Sequence, residues 1–266
     1  MHLILITGLD GSGKSTVLTK LAARKPDASI DFILLPQIDV ERFREDPDIY
    51  KTALFINSLG HQADVLQVPQ LKAIALFASM LLFKKMLEFK AKTGANIVFC
   101  ERHPLIDTGV YARFYAAKLG PGTISQQVLD ELDRKYADEL DYLSGLVPDG
   151  MISNTSGQCA ALLDFIYRWF FIEEKSDMGQ LELLFGLGLP DKIYYLKAEP
   201  EVLFGRTKNR ALQEAHESVQ VFRMLGQAYD ALFAEINTTE PGLAETIDAN
   251  EIAQLDLFFE AICRII

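Results

Sequence analysis

Residues Gly8-Leu9-Asp10-Gly11-Ser12-Gly13-Lys14-Ser15-Thr16 follow the spacing G-x-x-x-x-G-K-[ST]. Glycines at these places let the main chain curl until several N–H groups face one anion. The lysine then reaches the outer phosphates of a nucleotide such as ATP, and the serine hydroxyl can ligate Mg²⁺. Two further sets of residues suit the same chemistry. Glu101-Arg102 closes the apolar run 96–100. It pairs a carboxylate able to hold a cation or take up a proton with a guanidinium able to grip phosphate oxygens through two hydrogen bonds. Arg206-Thr207-Lys208-Asn209-Arg210 crowds three cations into a short stretch. That suits either a helix C-terminus or a lid whose arginines close over a transferred phosphoryl group and cancel its charge.

Each set needs an element behind it. His2–Thr7 is a short β-branched and leucine run that stops at Gly8, the pattern of a buried strand. Beyond the glycine loop, Val17, Leu18, Leu21 and Ala22 fall at helical spacing until Pro26. A loop that follows a strand and opens a helix has the context that phosphate binding requires. Residues 30–35, 96–100, 192–196 and 246–249 read as further strands, which puts Glu101-Arg102 at the carboxyl end of one. Residues 69–92, 200–209, 217–236 and 251–264 read as helices. Strands alternating with helices predict a parallel sheet covered on both faces. The expected fold is therefore α/β, a three-layer α/β/α P-loop NTPase fold with a five-stranded parallel sheet.

Between residues 120 and 190 the alternation stops. Residues 123–146 read as a charged amphipathic helix, 160–174 as an aromatic-rich one and 180–185 as a short one, with turn residues over 148–157. The expectation is one domain over 1–266, carrying a helical insertion at 121–189 and a lid at 206–216. Phe165, Tyr167, Trp169, Phe170 and Phe171 are expected to pack the core of the insertion, a homodimer interface being the alternative use of so many rings. Phe77, Met80, Leu81 and Phe83 are core residues first and a base pocket second. Of the isolated histidines, only His103 stands beside a candidate site residue.

The totals narrow the function classes. With 37 acidic and 26 basic residues the 266-residue chain has a formal charge of −11, and 49% of it is apolar. So much apolar side chain excludes a disordered protein, and the acidic balance counts against a nucleic-acid coat. Small phosphate-bearing ligands need only a few cations in the right place. Cys100, Cys159 and Cys263 lie far apart with no CxxC pair, as reduced thiols would. The longest uncharged apolar run, 73–83, is too short for a membrane span, and no basic leader precedes His2–Thr7. A cytoplasmic protein without a membrane partner is expected.

These residues resemble the thymidylate kinase family. GLDGSGKST is similar to its phosphate loop, and Ile247-Asp248-Ala249 before a last helix is similar to its C-terminal segment. Pro190-Asp191 entering a strand, Glu199-Pro200-Glu201 and the R-x-K-x-R run are similar to its lid region, and Ala75-Leu76-Phe77-Ala78 to its substrate-side helix. The resemblance covers 1–118 and 190–266. It implies ATP- and Mg²⁺-dependent phosphoryl transfer to a nucleoside monophosphate by a homodimer. Asp10 would meet the sugar 3′-hydroxyl, and Arg102 the phosphates between donor and acceptor. The main chain at Ala249 and Asn250 would meet adenine. Lys14, Glu101, Arg102, Arg206 and Arg210 would carry the transfer, and Ser15 and Glu101 the metal. Gly8, Asp10, Gly11, Ser12, Gly13, Lys14, Ser15, Thr16, Lys208, Ala249 and Asn250 would line the nucleotide.

Ala78 is followed by Ser79-Met80 where that family has Asp-Arg, and Pro36-Gln37 stands where it has Arg-Glu-Pro. Glu101-Arg102-His103-Pro104-Leu105-Ile106-Asp107 resembles instead the E-R-S-x-x-S-D segment of deoxynucleoside kinases, whose acceptor is an uncharged nucleoside. Asp39 or Glu41 would then serve as the base. Both acceptors stay open, beside a nucleotide-binding regulator in which the insertion does the work.

Overall fold

The computed structural model describes residues 1–24, 29–117, 119, 124–152, 157–208 and 218–264. In chain order the elements are β1 (His2–Thr7), α1 (Lys14–Ala23), β2 (Ile30–Ile33), a 3-10 turn (Val40–Phe43), α2 (Pro47–Leu66), α3 (Pro69–Lys92), β3 (Ile97–Cys100), α4 (Pro104–Ala116), α5 (Gln126–Lys135), α6 (Ala137–Ser144), α7 (Gln158–Tyr167), a π turn (Arg168–Ile172), α8 (Met178–Phe185), β4 (Lys192–Lys197), α9 (Pro200–Thr207), α10 (Val219–Thr239), β5 (Ala244–Asp248) and α11 (Ile252–Ile262). They form two compact units, one of residues 1–33, 90–102 and 190–266, the other of 34–89 and 103–189. The helical unit thus takes in more chain than the 121–189 excursion, adding α2, most of α3 and α4.

In the first unit all five strands are parallel, in the order β2-β3-β1-β4-β5. β1 is hydrogen-bonded on both sides and buried at Leu3, Leu5, Ile6 and Thr7, which is why it reads as a nearly unbroken apolar run. Consecutive side chains of a strand point to opposite faces, and β4 shows what covers each. The Tyr194 ring meets Phe258 of α11 at 5.1 Å, while Tyr195 packs on Tyr229 and Phe233 of α10, each at 5.0 Å. α10 and α11 therefore lie on opposite faces, and the three-layer arrangement expected of the sequence is present. The strand order reverses at β1, with β3 on one side and β4 on the other, and such a switch point leaves a crevice beyond the carboxyl ends of the strands. Edge strand β2 is tied to the last turn of α3 by an ion pair between Asp31 and the buried Lys90 ammonium at 2.7 Å.

The second unit is helical among its described residues. α2, which periodicity reading left unassigned, begins at an Asp46 cap whose carboxylate accepts the Ile49 N–H at 3.1 Å, with proline in the first turn. The helix expected over 123–146 is two helices, broken at Tyr136 (φ −125°). The Tyr136 ring packs at 4.6 Å on Phe55 of α2 and its hydroxyl lies 3.3 Å from Ser58 Oγ, so packing outweighs local helix preference. Residues 160–174 also depart from a plain helix. The π turn widens the backbone after Tyr167, where Trp169 and Phe170 are both buried. Phe77 of α3 is surrounded by Phe165 at 5.6 Å, Phe170 at 6.2 Å and Phe185 at 6.2 Å. Phe77, Phe165, Trp169 and Phe170 are thus packed core. No helix among the described residues is long and apolar enough to cross a membrane.

Candidate functional site

The glycine loop occupies the turn between β1 and α1, at the switch point of the sheet. Gly8, Gly11 and Gly13 all have positive φ. A Cβ on Gly8 would stand 2.5 Å from the Leu196 carbonyl oxygen of β4, and one on Gly13 2.6 Å from Leu255 Cδ1 of α11. The curl that phosphate binding needs is therefore enforced by close neighbours as well as by backbone freedom. α1 has its first residue at Lys14 and carries no acidic side chain in its first turn, leaving the partial positive charge of its N-terminus uncancelled by its own residues. Ser12 Oγ is buried and has no hydrogen-bond partner among the described residues.

The expected charges converge here. The Lys14 ammonium, 6% exposed, donates to Asp10 Oδ1 at 3.2 Å and to the Leu9 carbonyl at 3.4 Å, and stands 3.8 Å from Glu101 Oε1. Arg102 reaches the same Asp10 oxygen at 3.6 Å, so one carboxylate holds together the lysine of the loop and the arginine of the neighbouring strand end. β3 delivers Glu101 and Arg102, because its register with β1 sets Cys100 beside Leu5 and brings the next residues to the level of the loop. The Ser15 hydroxyl donates to Glu101 Oε1 at 2.9 Å. Two cis oxygens on a cation with ~2.0–2.1 Å octahedral bonds stand about 2.9 Å apart, so this pair fits Mg²⁺. Among the described residues no cluster of three or more His, Cys, Asp and Glu could hold a metal unaided. Magnesium is commonly held by one or two protein oxygens together with phosphates and water, and the donors here suit that pattern.

The lysine and arginines of the R-x-K-x-R run part company. Arg206 lies at the glycine loop, but its guanidinium donates to three main-chain carbonyls, those of Gly11 (3.1 Å), Ala249 (2.8 Å) and Asn250 (2.8 Å). Lys208 is exposed just past α9, and Arg210 lies outside the described residues, as does most of 206–216. Thr16 is exposed on α1. The main-chain groups at Ala249 and Asn250 are themselves engaged. The Ala249 N–H donates to the Lys197 carbonyl at 2.8 Å and the Asn250 N–H to Asp248 Oδ1 at 2.9 Å. Sequence reading missed the Asn250 side chain, whose Oδ1 accepts the Glu199 N–H at 2.8 Å at the start of α9. An asparagine two residues after an aspartate is a turn signal, which marks a loop and carries nothing about the helix this loop holds.

In the second unit, His103 caps α4. Its Nδ1 accepts the Leu105 N–H at 3.3 Å, and Asp107 Oδ2 accepts the His103 N–H at 2.7 Å, the reciprocal arrangement of a capping box. Burial pushes the imidazole down to about 3, so it is neutral with the proton on Nε2, edge-on to Phe83 at 5.3 Å. Ser79 is fully buried and its hydroxyl donates to the Leu76 carbonyl at 2.7 Å, and the next residue, Met80, is buried and uncharged.

No protein-family model and no curated protein matches this chain. Among solved structures it is similar to a deoxyadenosine kinase from M. mycoides with products dCMP and a flexible dCDP bound, at 15% identity over 98% of this chain and 99% of that one, with a TM-score of 0.48. It is also similar to the thymidylate kinase of Candida albicans, at 18% identity over 98% of this chain and 90% of that one, with a TM-score of 0.49.

Proposed function

We propose that the protein transfers a phosphoryl group from ATP to a nucleoside monophosphate, in the manner of thymidylate kinases. One observation carries this reading: Lys14, Ser15, Glu101 and Arg102 meet at a glycine loop on the switch point of a parallel sheet. A loop with its lysine alone would serve any nucleotide-binding protein. The added strand-end carboxylate and guanidinium suit transfer, where charge spreads over phosphate oxygens as the phosphoryl group moves in line. Lys14 would leave Asp10 to meet the outer phosphates, and Arg102 would follow it. The buried Ser12 hydroxyl and the N–H groups of the loop would meet the phosphate oxygens. Ser15 and Glu101 would hold Mg²⁺, which when bound neutralises part of the phosphate charge. The lid at 206–216, with Arg210, belongs to the same reading.

A second reading takes an uncharged nucleoside as acceptor, phosphorylated at its 5′-hydroxyl. Met80 favours it, since a buried thioether where thymidylate kinases carry an arginine cannot grip a monophosphate. ATP consumption measured with each nucleoside and each nucleoside monophosphate in turn tests both. Stimulation by monophosphates supports the first reading and stimulation by nucleosides alone the second. Stimulation by neither leaves a nucleotide-binding regulator and overturns kinase activity.

A further inference from the structure

We propose that Arg206 is a positioning residue for the donor nucleotide, joining the phosphate loop to the loop after β5, and that it does not itself touch the phosphoryl group in transfer. The inference rests on the ATP-binding reading above. Nη1 of Arg206 donates to the carbonyls of Gly11 and Ala249, and Nη2 to that of Asn250. A planar guanidinium with donors in fixed directions can serve three carbonyls from two separate segments at once; an ammonium lacks that fork.

Packing supports the same junction independently. A Cβ on Gly11 would lie 3.1 Å from the Leu203 carbonyl oxygen and 3.1 Å from Thr207 Cγ2, so the last turn of α9 is pressed against the phosphate loop. Leu203 and Thr207 are both buried there. The other end of α9 is held by Asn250, whose side chain accepts the Glu199 N–H and also donates to Asp248 Oδ1 at 2.9 Å. The loop at 248–250 therefore brackets this short helix at both ends, and through Arg206 it is bonded to the loop at 8–15. A nucleotide that meets the first loop with its base and the second with its phosphates finds the two already spaced, which lowers the ordering cost of binding. Turning Arg206 toward a phosphate would take a charged donor from three carbonyls, one of them on the fully buried Ala249. The charge of the transferred group then falls to Lys14 and Arg102.

The test uses the full chain with Arg206→Gln and Arg206→Lys, titrated calorimetrically with ATP and with inorganic tripolyphosphate, which meets the phosphate loop but not the base loop. Loss of charge-assisted bonds at the junction should weaken ATP binding about tenfold or more in Arg206→Gln, with tripolyphosphate changed less than about threefold and Arg206→Lys in between. In turnover, KM for ATP rises by a similar factor while kcat at saturating ATP falls less than about threefold. Asn250→Ala, which loosens the other bracket without removing a cation, should weaken ATP in the same sense and serves if Arg206→Gln does not fold. Unaltered ATP affinity overturns the proposal. So does equal weakening of both ligands, or a hundredfold loss of kcat at unchanged KM. Wild-type protein that binds no ATP sinks the kinase reading, and this inference with it.

Discussion

In the first unit the telling side chains are charged and stand where strands end; in the second they are rings sealed among helices. Lys14, Asp10, Glu101 and Arg102 are linked by a chain of ion pairs at the end of a sheet whose interior is apolar. Phe165, Phe170 and Phe185 pack around Phe77, and all four are buried. The contrast separates two jobs that a composition figure merges. Charged groups paired at the sheet end stabilise the fold little, because their mutual attraction is offset by the cost of their own desolvation. The aromatic cluster contributes stability and offers no chemistry.

If that division is right, substitutions in the two units should fail in different ways. Lys14→Ala should reduce phosphoryl transfer by at least ~1,000-fold, since removal of a charge aimed at the transition state costs several kcal/mol. Its circular dichroism and urea midpoint should stay close to those of the parent. Near-normal transfer by this variant would dissolve the contrast from the first side. Phe170→Ala should do the reverse. A cavity in so enclosed a place costs about 3–5 kcal/mol, read as a lower urea midpoint, with nucleotide affinity well below that midpoint little changed. A stable Phe170→Ala protein would mean that the rings are not the core of the helical unit.

A smaller effect comes from His103. Its folded pKa, about 3, lies below the ordinary 6.5, so the unfolded chain takes up a proton that the folded chain refuses. Its contribution is present in full above pH 6.5 and is lost as pH falls toward 3. Between pH 7 and pH 5 the unfolding free energy should drop by about 2 kcal/mol from this group. His103→Asn, which can still cap α4, should remove that part of the slope in urea titrations at the two pH values. An unchanged slope would show that the imidazole is not held neutral.

The site was legible where its meaning is local. A glycine-lysine-serine spacing between an apolar run and a helical pattern specifies a loop by itself, and Glu101-Arg102 could be placed at a strand end because 96–100 is plainly apolar. α2 had usable signals, since Ile49, Thr52, Ala53, Ile56, Leu59 and Ala63 recur at helical spacing after Asp46-Pro47. Asn57 and Gly60 inside that pattern lower helix preference and obscured it, and a Cβ at Gly60 would make only an ordinary contact with the Ala75 methyl at 4.0 Å, so packing does not require glycine there. The break at Tyr136 and the π turn at Arg168–Ile172 arise from rings that find partners far along the chain, which no window of sequence contains. The destination of Arg206 was hidden for the same reason. A cation after a helix reads as a phosphate ligand or a cap, and only the fold brings the carbonyls of Gly11, Ala249 and Asn250 beneath it.

The two tightest glycines of the glycine loop have unequal evolutionary latitude. What confronts Gly13 is the tip of the Leu255 side chain, and a shorter residue at 255 would withdraw it, so the steric part of that constraint is negotiable between the two positions. What confronts Gly8 is a main-chain oxygen of β4, present whatever residue occupies position 196. Drift in this lineage can rewrite the pair at 13 and 255 together, leaving only backbone strain to overcome. Position 8 has no partner whose change could release it.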